Sequence, residues 1–200
     1  MTLISAVGSV VFAAFLAFIL SAVQSHINAN TGSDHAVHSF LIRALRKNGG
    51  RLFVRIPNLI NKAYTGALPL YLHSIFVHFR PSVMRSAEKF LNPCVNGIHV
   101  LIVGAIGASV AAQSGLDMVY IILTGLLFAL TPQFYHALSA RNFGLSARSI
   151  GLVFLTIFYF GAYFVENRSG VSFWIVMISA GYLIWAFSTF AMQVLVIISF

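Results

Sequence analysis

From Val171 to Phe200 the chain runs for thirty residues without a charged side chain. Few folds accept such a segment. The hydrocarbon core of a bilayer is about 30 Å thick, and a helix needs about 20 predominantly apolar residues to cross it. Thirty residues exceed one upright crossing, so the run reads either as one tilted helix or as one helix followed by the start of another. Five further apolar stretches repeat the pattern: Leu3–Val23, a shorter one at about Tyr64–Phe79, Val95–Ala112, about Met118–Leu130, and Ile150–Val165. Of the 200 residues 59% are hydrophobic and 8% charged, with a mean hydropathy of +0.90; a soluble domain carries about 25% charged residues. The expected fold is all-α: a polytopic integral membrane bundle of about six or seven transmembrane helices, forming a single transmembrane domain over residues 1–200.

Met1 to Ala22 lacks the positively charged start of a signal peptide and is long enough to span, so it reads as a retained first helix. The last apolar run continues to Phe200, which gives the expectation that the chain is the N-terminal part of something longer. The single cysteine, Cys94, excludes an internal disulfide and a Cys-based metal site. Twelve Lys and Arg against four Asp and Glu give a formal charge of +8. In a membrane protein the natural partners of that charge are lipid headgroups and lipid-linked phosphates rather than nucleic acid.

The charge is concentrated in the first loop, residues 25–63, ahead of the remaining spans at 64–200. Residues 34–55 read DHAVHSFLIRALRKNGGRLFVR. Asp34–Asn48 has the pattern of an amphipathic interfacial helix. Thr31 or Ser33 is placed to cap its start, and Gly49-Gly50 to end it in a left-handed turn. Val37, Phe40, Leu41, Ala44 and Leu45 fall on one face; His35, Ser39, Arg43 and Arg46 fall on the other. Asp34 and His38 are one turn apart and share a face near the boundary between the two sides.

That pattern supports a chemical reading. A carboxylate at Asp34 acts as general base or orients a divalent metal. His35 and His38 assist it or ligate metal. Arg43, Arg46, Arg51 and Arg55 neutralise a phosphate, since Arg–phosphate pairing is bidentate and strong. A plainer reading stays open beside it. An acidic residue in the first turn of any helix is favoured by the macrodipole, and interfacial cations anchor helices to anionic lipid.

Elsewhere, Asp117 and Glu166 are the candidates for a second acidic site residue, with helix capping or pairing to Arg168 as the plainer alternatives. His73, His78 and His99 fall in apolar stretches. Facing histidines there suit haem ligation, or interhelical hydrogen bonding. Gly104, Gly107 and Ala111 have the small-residue spacing of close helix packing.

The order of features around the first loop resembles the GT-C superfamily, the membrane glycosyltransferases that use polyprenyl-phosphate-linked sugars. The resemblance lies in one N-terminal span, Asp34-His35-x-x-His38 in an interfacial helix, a basic Gly-Gly turn, Ile56-Pro57, and Gly66-Ala67-Leu68-Pro69-Leu70-Tyr71 opening the next span. Leu130-Thr131-Pro132 through Arg141 to Ser146-Ala147-Arg148 is similar to a membrane-to-loop transition in that group. The layout covers the whole chain, and the motif only Asp34 to Tyr71.

The resemblance implies an essential carboxylate at Asp34, an outward-facing first loop, and transfer of sugar to a lipid, glycan or protein acceptor, with Mg or Mn as a candidate cofactor. Two features depart from the family. Its chains are about twice as long, and its later acidic residue has two competitors here, Asp117 and Glu166. A chain complete at Phe200 would call for a partner subunit. Two other functions remain as alternatives: a non-catalytic anchor, lipid-handling or transport subunit, and a haem- or quinone-binding subunit. If all six stretches cross, the first-loop side carries Arg43, Arg46, Lys47, Arg51, Arg55, Lys62 and Arg168. The other side carries Arg80, Arg85, Lys89, Arg141 and Arg148. The positive-inside rule would weakly place the first loop in the cytoplasm, against the family orientation.

Overall fold

A computed structural model describes residues 3–27, 33–47, 49, 71–114, 119, 123, 147–168 and 170–198. Among these residues it is all helix and turn, with no strand. The helices are α1 (Leu3–Ile27), α2 (Ser33–Lys47), α3 (Tyr71–Val77), α4 (Pro81–Ser114), α5 (Ala147–Arg168), α6 (Val171–Phe187) and α7 (Thr189–Ile198). The expected fourth span, about Met118–Leu130, lies outside the described residues apart from Val119 and Leu123. Lys89–Ala111 of α4 and Ala147–Glu166 of α5 are long and apolar enough to cross a membrane; Val7–Val23 of α1 and α6 are apolar but shorter.

Small residues set how α1 and α4 meet. Ala13, Ala14 and Ala17 of α1 pack on Val100 of α4 to form one core. A Cβ at Gly97 would sit 3.3 Å from the Ala14 carbonyl oxygen, and one at Gly104 would run into the Val10 side chain. Close backbone approach of this kind is how helices associate where lipid removes the hydrophobic drive between them. The pairs 21 with 96, 14 with 97 and 10 with 104 make the two helices antiparallel. The Asn96 amide donates to the Ser21 hydroxyl at 2.8 Å near the end where α1 finishes and α4 begins.

α5 and α6 form an antiparallel hairpin through a tight turn at Gly170, with Gly161 against Met177, Gly181 against Phe158, and Phe164 stacked on Phe173. The thirty-residue uncharged run is two helices, one of the two expected forms. Ser188 breaks it by taking an extended conformation (φ −145°, ψ 105°). Its N–H closes α6 on the Ile184 carbonyl at 2.9 Å, and its hydroxyl accepts the Ala191 N–H at 3.2 Å as the cap of α7. Gly151 leaves the room that Ser188 and Ala191 fill. Leu155, Ile184 and Ala191 join α5, α6 and α7 in a second core.

One expectation is corrected. The segment between the second and third expected spans is not a loop: from Pro81 to Pro93 it is the first part of α4, a helix of 34 residues in all that runs on past Pro93. At about 1.5 Å per residue α4 is roughly 50 Å long, so its basic start projects beyond the apolar segment. Of the second expected span, Tyr64–Phe79, residues 64–70 lie outside the described residues; its described part is the helix α3 and the turn after it. α3 packs against α2 and leads straight into α4, because Ile42 of α2 shares a core with Leu72 and Phe76 of α3 and Met84 of α4. Ala147 and Ile150 at the start of α5, and Phe187 at the end of α6, close over the same core.

The cation count changes with this topology. Positions 43, 46, 47, 80, 85, 89 and 148 all gather at the α2 end of the bundle, and Arg168 with Glu166 lies at the opposite end. Outward faces are apolar on α1, with Val7, Val11, Phe12, Phe15 and Ile19, and on α6, with Trp174, Ile175, Ile178 and Tyr182.

Replacing Gly104 by Ala should destabilise the solubilised protein by about 1–3 kcal/mol through overpacking on Val10. The same change at Gly8, where a Cβ meets nothing within 4 Å, should be neutral or slightly stabilising. Thermal unfolding of the two variants in one detergent checks the contrast.

Candidate α2–α3 site

α2 is held by a buried stripe. Leu41, Ile42 and Leu45 are 2%, 3% and 1% exposed, whereas Phe40, expected in the same apolar stripe, is 37% exposed. The stripe is rotated from its expected position because α2 docks on α3 through residues 38, 42 and 46, one turn apart. Each of the three aliphatic side chains contributes about 2 kcal/mol when buried from water. The helix stops as the sequence predicts: Gly49 adopts φ 66°, and its N–H meets the Arg46 carbonyl at 3.3 Å.

Arg46 ties the two helices together. Its Nε donates to the Val77 carbonyl at 3.2 Å, and its Nη2 donates to the carbonyls of Phe79 at 2.7 Å and, more loosely, Phe76 at 3.5 Å. These are carbonyls at the end of α3 and in its turn; that of Phe76 also accepts the Phe79 N–H at 3.2 Å. A guanidinium at a helix C-terminus satisfies them and meets the negative end of the helix dipole. The phosphate-holding role expected of Arg46 thus competes with a structural one. Arg43 Nε bonds back to the Ser39 carbonyl at 3.2 Å and is exposed.

One turn before Ile42, the same face carries His38. Its Nδ1 lies 2.7 Å from Nε2 of His73 on α3, 35 residues away in sequence. The ring planes differ by 25° and the centroids are 4.9 Å apart. That centroid separation, with nitrogens at 2.7 Å, is about what two rings need when joined edge to edge through their nitrogens, so the contact is an in-plane hydrogen bond rather than one ring lying over the other. One imidazole donates its N–H and the other accepts it on a lone pair. Two nitrogens binding one tetrahedral metal at about 2.0–2.1 Å each stand more than 3 Å apart with both lone pairs converging on the ion. The His38–His73 contact is shorter, and its lone-pair axes point at each other. His73 is 3% exposed and His38 half-buried.

Around this pair, Tyr71 meets Trp185 of α6 with centroids 6.2 Å apart, and Trp185 meets Tyr182 at 5.9 Å. Aromatic rings with a polar edge collect at the level of lipid headgroups. The same end of the bundle therefore carries the aromatic cluster, the cations and the histidine pair.

The other expected site residues are distributed as follows. Asp34 and His35 fall in the first turns of α2, and their side chains lie outside the described residues. Arg51, Arg55 and Asp117 also lie outside the described residues. Glu166 is exposed at the end of α5 opposite α2, so it is not brought to the first-loop site. Among the described residues no three His, Cys, Asp or Glu side chains assemble as a metal site. Hard cations such as Mg and Mn take oxygen ligands, which the histidine pair does not offer, so any fit to such an ion rests on Asp34.

His73 and His99, the candidates for haem ligation, are each engaged elsewhere. His99 Nε2 lies 2.8 Å from the Thr156 hydroxyl, which itself donates to the Leu152 carbonyl at 3.0 Å. The contact joins α4 to α5 as interhelical hydrogen bonding.

The residue that the sequence did not connect to the first loop is His73. Its only signal was a histidine two positions past the Leu68-Pro69-Leu70-Tyr71 motif, within an apolar stretch. Comparison with family models, with curated proteins and with solved structures finds no match.

Arg46→Ala should loosen α3 from α2 and cost about 1 kcal/mol, below the usual range for hydrogen bonds to a charged group because the site is exposed. Amide hydrogen exchange over residues 74–80 should accelerate, while exchange in the α1–α4 core stays unchanged. Arg46→Lys should restore only part of the protection, since an ammonium lacks the planar fork that reaches several carbonyls at once.

Proposed function

We propose that this chain is a membrane glycosyltransferase module of GT-C type. Its site lies at the α2 end of the bundle, and it transfers sugar from a polyprenyl-phosphate donor to a lipid, glycan or protein acceptor. The single observation that carries the reading is the docking of α2 on α3. It sets the Asp34-His35-x-x-His38 helix, one turn of which bears the carboxylate, at the end of the bundle where cations and interfacial aromatics gather. That is the level at which a lipid-linked phosphate meets its acceptor.

The polytopic reading of six or seven spans belongs to the same proposal. The outward apolar faces of α1 and α6 suit lipid. α4 and α5 run parallel, with His99 level with Thr156, so Ser114 and Ala147 end up roughly 35 Å apart along the bundle axis at 1.5 Å per helical residue. The connecting chain has to make up that distance, which is about one bilayer thickness. α2 then lies in the interface rather than across it, covered on one side by α3 and presenting Arg43 and Lys47 on the other.

In this mechanism Asp34 acts as base toward the acceptor hydroxyl or orients a divalent ion. His35 and His38 assist it. Arg43, with Arg51 and Arg55, neutralises the leaving phosphate, and Arg46 holds the α3 carbonyls that frame the site. Catalysis rests on positioning and on charge placed where the phosphate leaves. Asp34→Asn should lower transfer by about 100-fold or more. The assay is release of labelled sugar from a panel of hexosyl- and pentosyl-polyprenyl phosphates by protein in nanodiscs. Wild-type rates in the variant would remove the catalytic assignment.

A second reading is favoured by the gathering of seven cationic positions at the α2 end, with Arg168 alone among described positions at the other. By the positive-inside rule this end faces the cytoplasm, which suits a lipid-handling subunit on the inner leaflet. The family resemblance instead puts it on the outer face of the plasma membrane. In a Cys94→Ser background, Lys47→Cys should react with a membrane-impermeant maleimide in intact cells if the glycosyltransferase orientation holds. Labelling only after lysis would favour the second reading.

A further inference from the structure

We propose that His73 is a positioning residue of the α2–α3 site: it holds the His38 imidazole in one pose and one tautomer on the face of α2 that also carries position 34. The proposal rests on the glycosyl-transfer reading for what the site does, but not for the pairing itself.

Three observations carry it. The contact is short, 2.7 Å, and lies in the plane of both rings, so one nitrogen of each ring is committed to the same proton. The shared proton couples the two rings: if His38 Nδ1 donates, its Nε2 is bare and His73 Nδ1 is protonated, and if it accepts, the reverse holds; the burial of His73 Nδ1 makes the two arrangements unequal and so favours one. His73 is itself immobilised. It is 3% exposed, between Leu72 and the Phe76 turn of a helix whose end is clamped by Arg46 and whose start is packed against Trp185. Finally, α3 (Tyr71–Val77) lies against α2. With Leu72 and Phe76 packed on Ile42, it backs α2 and brings His73 to His38.

A half-buried imidazole with free rotation and two tautomers would present a mixed donor and acceptor to a ligand. One tied to a rigid neighbour presents a single hydrogen-bonding character, the way an outer partner fixes the ring of a metal-bound histidine. Of the nearby charged groups, Arg46 is turned to the α3 carbonyls and Arg43 to the Ser39 carbonyl, and α6 has no charged residue.

The test uses the whole chain in nanodiscs, with two substitutions. His73→Phe keeps a flat ring of similar size but offers no nitrogen. His73→Gln places an amide nitrogen or oxygen near the position of the lost Nε2. With polyprenyl-phosphate sugar as donor, His73→Phe should lower kcat by about 10–100-fold with KM little changed, and His73→Gln should recover most of the loss. Independently of activity, the ring nitrogens of His38 in histidine-15N-labelled protein, assigned by their disappearance in His38→Gln, should show one protonated and one bare nitrogen in the wild type. They should show averaged values in His73→Phe.

A wild-type His38 already averaged between tautomers would overturn the proposal without recourse to a variant. So would His73→Phe that folds, turns over normally and leaves His38 locked. A wild type with no turnover on any of these donors, but with His38 locked, would instead overturn the glycosyl-transfer reading and with it His73's role in transfer, while the pairing stands.

Discussion

The docking of α2 on α3 is the contact on which the arrangement of this end of the protein depends. Ile42, Leu72, Phe76 and Met84 form its apolar centre, with Arg46 at one edge and the His38–His73 hydrogen bond at the other. A seven-residue helix has little stability of its own, because nucleating a helix costs more than a few hydrogen bonds return. α3 exists as a helix here because its apolar side is covered by α2 and by the starts of α4 and α5, and because an arginine from α2 satisfies its terminal carbonyls. Without those contacts the chain between the first loop and α4 would have no reason to stay at the surface of the bundle.

That single contact also decides the sidedness of the charge. With α3 docked beside α2, Arg80 and the basic start of α4 join the cations of α2, so that among the described residues seven of eight cationic positions lie at one end. The apolar faces cannot supply such a signal, since α1 and α6 are apolar nearly all round and would suit lipid in either direction. The gathering of described cations at one end therefore follows from a short helix of weak sequence signature, through the placement of residues that are themselves easy to see.

Much of the fold was legible because it rests on long-range composition. α1, the apolar length of α4, and α5 follow from hydropathy and length, which left the last run open between one helix and two. The stop of α2 follows from Gly49, and the tight α1–α4 contact from the small residues of α4. What was not legible depends on non-local choices. Residues 81–93 carry enough charge to look like a loop, yet they continue a helix whose apolar half is anchored below, and Pro93 does not end it. Phe40 and Ile42 are both credible core residues on a helical wheel. Ile42 is buried because α3 lies on its side. In the site, the amphipathic helix and its histidines were visible, but the partnership of His38 with His73 was not. No spacing rule connects residues 35 apart, and His73 looked more like a partner for His99.

The histidines show how the same residue type divides between support and chemistry in an apolar chain. His99 sits within the bundle and meets Thr156, whose hydroxyl bonds back to its own helix, so the chain of bonds ends on a backbone carbonyl. Nothing in that arrangement is addressed to an outside ligand, and average interhelical bonds of this kind contribute only about 0.6 kcal/mol each. His38 and His73 lie instead at the α2 end of the bundle, one half-buried on α2 and one enclosed on α3, beside the chain's most basic segment. Interior packing alone would be served as well by two apolar rings there. Two imidazoles sharing one proton are a costlier choice, because a buried polar group that loses its partner is penalised by about 1–3 kcal/mol. Their pairing makes chemical sense where a ring of defined tautomer has something to meet.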